Sequence, residues 1–193
     1  DISRAGAREN LDRPASRLAK SIELRHWWIV IREADAVHFK SFAHERILII
    51  RWTEPSVAGA RELSKLIERS HAAVNDRLFF ASIVGAKCPT PSSETREAMR
   101  VEHERVSDLM IDSRTVILGR SIRQSLMRSV LLNISLLNGR QPRRFMTDGT
   151  AEEFAAVAHS TVGVDPNWLL RQLLDASVLE PDELAQPLTA EPT

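Results

Sequence analysis

At 193 residues, with 43% hydrophobic and 27% charged side chains, the chain has the makeup of one globular domain with a sizeable core and some tail. Basic and acidic residues balance at 26 each, which argues against a general polyanion binder, and a single cysteine, Cys88, excludes an internal disulfide. The most apolar window, SVLLNISLL at residues 129–137, is far shorter than the ~20 residues that cross a bilayer, and the first residues lack the apolar stretch of a signal peptide, so the expectation is a soluble cytoplasmic protein without a membrane span.

Residues 1–24 are rich in Arg and Ala without a sustained apolar face and read as a flexible arm. Three strands are expected next. RHWWIVI at residues 25–31 is β-branched and aromatic, AVHFKSF at 36–42 alternates as a strand with one wet face, and RILIIRW at 46–52 has the near-continuous apolar centre of a strand covered on both sides. Glu54-Pro55 marks a helix start, after which Val57, Ala60, Leu63, Ile67 and Val74 recur at helical spacing. LFFASIV at 78–84 predicts a buried strand, and a helix is expected from Pro91 to about Met110, with Thr90 as its cap. TVILG at 115–119 predicts a short strand. SIRQSLMRSVLLNISLLN at 121–138 predicts an apolar helix ended by Gly139, and RRFMT at 143–147 a last short strand. Thr150-Ala151-Glu152-Glu153 is a capping box for a helix to about His159, and Asp165-Pro166 opens a further helix whose Trp168, Leu169, Leu173 and Leu174 dock on the domain.

The order predicts an α/β fold: a mixed sheet of about five or six strands with an N-terminal antiparallel hairpin, right-handed parallel crossovers and about four or five helices. One domain spans residues 25–178, with its core at 46–160. Residues 179–193 read as a flexible acidic tail.

From Ile47 onward this order resembles the STAS domain, the fold of bacterial anti-sigma-factor antagonists and of the cytoplasmic tails of sulphate transporters. ILIIRWTEPSVAGARELSKLIER is similar to the family's strand, loop and first helix, and DRLFFASIVGAKCPTPSSETREAM to its central strand and following helix. RTVILGRSIRQSLMRSV and RRFMTDGTAEEFAAV are similar to the last two strand and helix units. The resemblance implies the order βββαβαβαβα, plus a C-terminal helix at Trp168, and a non-enzymatic regulatory module. In STAS antagonists an Asp-Ser-Ser/Gly motif begins the helix after the central strand, and a partner kinase phosphorylates its serine. Pro91-Ser92-Ser93-Glu94 stands at that place, with the family's Asp replaced by Thr90 or Pro91 and its Gly by Glu94.

Independently of any family, Thr90 as cap with Pro91 first in the helix would set Ser92 and Ser93 where free N–H groups and the positive helix end favour a phosphate. The alternative is that these hydroxyls only satisfy helix-start donors. Thr90, Glu94 and Arg96 complete the candidate partner surface. Cys88 on the same loop is considered as a nucleophile and set aside, since no assembled motif accompanies it. Six histidines form no helical H-x-x-x-H pair, and no metal or cofactor is expected.

Charge is unevenly distributed. Residues 113–147 hold seven arginines and no acid, whereas residues 148–193 hold nine acids and one arginine. Arg120, Arg123, Arg140, Arg143 and Arg144 are candidates for an anion or partner patch. In the helix at 121–138, Ser125, Ser129 and Asn133 form a polar stripe beside Leu126, Val130, Ile134 and Leu137, which raises the alternative of a lipid or small-anion carrier. The partners considered are a kinase-like or sigma-regulator-like protein and a second copy of the chain. Nucleic acid is not among them, because basic and aromatic residues do not interleave.

Overall fold

The computed structural model describes residues 38–118, 146–148 and 150–184, the three central ones as backbone only. Strand β1 (Phe39–His44) and strand β2 (Ile47–Trp52) form an antiparallel hairpin. Its turn places Glu45 in the left-handed region at φ 47°. Helix α1 (Val57–Val74) leads to β3 (Leu78–Val84), α2 (Ser93–Val106) to β4 (Met110–Ile117), and the three-residue β5 (Met146–Asp148) to α3 (Ala151–Val162) and α4 (Pro166–Asp175). The sheet order is β1-β2-β3-β4-β5, with β2 to β5 parallel. The fold is therefore α/β on a mixed sheet. The strand predicted at 25–31, the arm before it and the helix predicted at 121–138 lie outside the described residues.

Period-two alternation sorts the sheet into two cores. Ile47 and Ile49 of β2 and Phe79, Ala81 and Ile83 of β3 share one cluster with Phe154, Leu169 and Leu173 of α3 and α4. Leu48, Ile50, Trp52, Leu78, Phe80 and Val84 share the other with Leu66 and Ile67 of α1 and Val106 of α2. All six residues of β2 are buried, as its apolar run predicts, because helices cover both faces of a parallel interior strand.

Several boundaries differ from the sequence expectation. β1 runs from Phe39 to His44 rather than from residue 36 to 42, and its buried side chain is Phe42, at 5% exposure. Helix α1 is capped by Ser56, whose Oγ accepts from Gly59 N at 2.9 Å, so Pro55 stands before the cap instead of in the first turn. Helix α2 stops at Val106, and β4 begins at Met110, five residues earlier than predicted. The interposed 3-10 turn Ser107–Leu109 brings Met110 into register with Leu78, so the strand takes Met110 from the expected helix and adds residues 111–114, which fall between the two expected elements. Among the described residues no helix is long and apolar enough to cross a membrane.

The capping box at Thr150 forms as expected: Glu153 N donates to Thr150 Oγ1 at 3.1 Å and Thr150 N donates to Glu153 Oε2 at 3.2 Å. Helix α3 then extends past His159 to Val162, where Gly163 ends it at φ 79°. Thr150→Ala should cost about 1–2 kcal/mol, the usual value of such a cap, read as a lowered urea midpoint with unchanged slope.

Candidate functional site

The carboxyl ends of β2, β3 and β4 meet at one rim of the sheet, where Leu118 N donates to Val84 O at 3.0 Å. The loop that leaves β3 there holds the predicted serines. Gly85 O accepts from Cys88 N at 3.1 Å, and Cys88 turns inward to 5% exposure, with its thiol 3.6 Å from Pro89 O.

The cap of α2 is Ser92, not Thr90. Ser92 has extended backbone, at φ −63° and ψ 167°, and its Oγ accepts from Thr95 N at 3.1 Å while donating to Thr95 Oγ1 at 3.0 Å. Ser93 thus opens the helix, and Pro91 precedes the cap. Thr95 and Val106 of the helix are buried, Met99 packs alongside the core cluster that holds Leu66 and Ile67 of α1, and Ser64 Oγ donates to Glu102 O at 3.3 Å.

Ser92, Ser93, Glu94 and Thr90 are exposed. Arg96 joins the helix to its loop: Nη1 donates to Pro91 O at 2.9 Å and Nη2 donates to Ser93 Oγ at 3.0 Å. Glu94, in the first turn, complements the positive helix end. The structure therefore gathers Thr90, Ser92, Ser93, Glu94 and Arg96 at one exposed corner. Farther along α2, Arg100 donates to Glu97 at 2.7 Å and holds that carboxyl below its usual range, and Arg105 pairs with Glu102 and with Glu68 of α1. The arginine candidates Arg120, Arg123, Arg140, Arg143 and Arg144 lie outside the described residues, as does the Ser125, Ser129, Asn133 stripe.

Beside this corner is a feature that local pattern did not reveal. Arg51 of β2 is 7% exposed. Its Nη1 donates to Glu183 Oε2 at 2.5 Å, and its Nη2 donates to Glu183 Oε1 at 2.9 Å and to Glu180 Oε1 at 3.2 Å. Burial by itself would lower the guanidinium's pKa, but the Glu183 hydrogen bond and the charges of Glu183 and Glu180 outweigh it and raise it. The expected flexible tail thus begins with an ordered turn: Leu179 is 2% exposed, and the Glu183 side chain is 10% exposed. A usable signal was present, since an arginine between Ile50 and Trp52 in a strand covered on both faces must find a carboxylate.

Other predicted groups sit apart. His103 Nε2 lies 2.9 Å from Ser113 Oγ between α2 and β4, and His38 Nδ1 lies 3.1 Å from Ser56 Oγ at the start of α1. His44 packs on Trp168, ring centroids 4.6 Å apart, at the opposite rim of the sheet, where a cleft of about 250 Å³ opens between the hairpin turn and Val164. Comparison of the chain with protein-family models, curated proteins and solved structures finds no match.

Proposed function

We propose that this chain is a non-enzymatic, STAS-like interaction module that works inside the cell, in which the exposed corner at the start of α2 binds a regulatory protein and a phosphate on Ser93 switches that contact. The observation that carries this reading is the Arg96 guanidinium, 3.0 Å from Ser93 Oγ at the first position of a 14-residue helix. A phosphate on that oxygen would meet the Arg96 guanidinium, whose Nη1 also holds Pro91 O, and the positive helix end together. Ser92 is the poorer acceptor of a phosphate, because its Oγ is already engaged twice with Thr95. The partner type that fits the resemblance is a kinase-like or sigma-regulator-like protein, and a second copy of the chain is a further candidate.

The two serines separate in a simple measurement. Ser92→Ala should cost about 1 kcal/mol of stability through the lost cap, whereas Ser93→Ala should change stability by less than about 0.5 kcal/mol, as exposed sites do. Phosphopeptide mapping of the protein from its native host should place the modification on Ser93 and lose it in Ser93→Ala. An unmodified peptide under all growth conditions, or phosphate only on Ser92, overturns the switch.

The rival reading is a carrier. The cleft at the opposite rim has about a quarter of the volume of a large ligand pocket, and its lining mixes His44, Glu45, Arg46 and Asp165 with the apolar Ile47, Val162, Val164 and Trp168. That size favours a small ligand over a lipid, and native mass spectrometry that retains a ligand of defined mass would favour the carrier over the switch.

A further inference from the structure

After α4 the chain reverses at Ser177, held at φ 55°, and Val178 and Leu179 enter the core at 0% and 2% exposure. The next residues are held differently. Pro181–Glu183 forms one 3-10 turn that is tied to itself: Glu183 N donates to Glu180 O at 3.0 Å, Leu184 N donates to Pro181 O at 3.4 Å, and Glu180 N donates to Glu183 Oε2 at 2.9 Å. The Glu183 carboxylate therefore both closes its own turn and receives the buried guanidinium of Arg51. Within residues 180–184 the apolar contact with the core comes from Leu184, which is only partly buried. Gly85 makes room for the ion pair. A Cβ there would stand 2.3 Å from Arg51 Nη2 and 3.1 Å from Glu183 Oε1.

We propose that Arg51, backed by Gly85, is a carboxylate-binding site at the rim of the sheet, filled in the resting chain by the Glu180–Glu183 turn, and that this turn detaches as a local unit and yields the site to an acidic peptide segment of a partner. The turn is a compact acidic motif held to the rest of the chain by little besides Arg51, which pairs with both Glu183 and Glu180, and the partly buried Leu184, and a single 3-10 turn released from those contacts frays. Such small sets of contacts open well below the cost of global unfolding. In cis the turn has an effective concentration of about millimolar, so a partner segment has to bind more tightly than the turn does. The site lies beside Gly85 and Cys88, on the loop that leads to Ser92, which puts an exchanged partner segment within reach of the α2 corner.

Hydrogen exchange on the full chain tests the first half. The amides of Glu183 and Leu184 should exchange by a local opening, well ahead of those of Leu169 and Leu173, which wait for global unfolding, and Glu183→Gln should speed both sets by about tenfold or more while the gap between them remains. A labelled peptide carrying residues 177–193 tests the second half by fluorescence anisotropy. It should bind the full-length Glu180→Gln/Glu183→Gln chain about tenfold or more tightly than the natural chain, and adding Arg51→Lys should remove that gain by losing the bidentate fork. Exchange of residues 180–184 only together with Leu173 would make the ion pair a structural clamp and overturn the proposal, as would equal peptide binding to all three chains. Should the double variant fail to fold, the exchange pattern of the natural chain decides alone. Neither arm involves Ser92 or Ser93, so failure here leaves the proposed switch standing, and the converse holds.

Discussion

Phe79→Ala should lower the unfolding free energy by about 3–5 kcal/mol, the range for emptying a buried aromatic site. Phe79 is 0% exposed in the central strand β3, and its ring packs 5.9 Å from that of Phe154, centroid to centroid. The cavity would open between the sheet and α3, where Ala155 and Ala158 are also fully buried and offer no longer side chain to swing into the space. Phe39 is the control. It lies on β1, the outermost strand among the described residues, is only partly buried and meets Trp52 edge-on at 5.5 Å. Phe39→Ala should therefore cost about half as much or less, because water can fill the vacated place. Urea unfolding of the two variants measures the difference. Equal losses would mean that β1 is as deeply packed as β3, contrary to the described burial.

Glu183→Gln should cost about 1.5–3 kcal/mol, the value of hydrogen bonds to a charged group. The variant keeps the shape of the side chain and one acceptor oxygen but leaves the guanidinium of Arg51 with Glu180, at 3.2 Å, as its remaining anionic contact. Glu180 is 42% exposed and therefore a weaker counterion. The reverse substitution, Arg51→Met, should be milder. It places an apolar side chain on the sheet face that carries Ile47 and Ile49, and Glu183 can swing into water with its turn. A larger loss for Arg51→Met than for Glu183→Gln, in thermal or urea unfolding, would contradict this asymmetry. It would also indicate that the turn cannot leave the rim without wider unfolding.

Several parts of this molecule follow from signals contained within a few residues. The LFFASIV run becomes the buried strand β3, because seven apolar or small residues in succession suit only a position covered on both faces. Thr150 and Glu153 cap α3, and Asp165 with Pro166 starts α4, since each pair acts over three residues or fewer. The exposed corner of α2 was legible in the same way as a cluster of residues, but not in its register. Thr90 and Ser92 are both competent caps by chemistry, and a local rule does not choose between them.

Hydrophobic period and capping chemistry act between near neighbours, so the alternation of strands and helices, the interior strand and the place of the exposed serines are legible along the chain. Contacts between distant segments set the rest. Buried Thr95, bonded to the Ser92 hydroxyl, goes with Ser92 as the cap, and the pairing of Met110 with Leu78 starts β4 five residues early. The pairing of Arg51 with Glu183 spans 132 residues, and a buried charge specifies only that it needs a counterion, whereas which carboxylate arrives depends on where the folded chain carries its end.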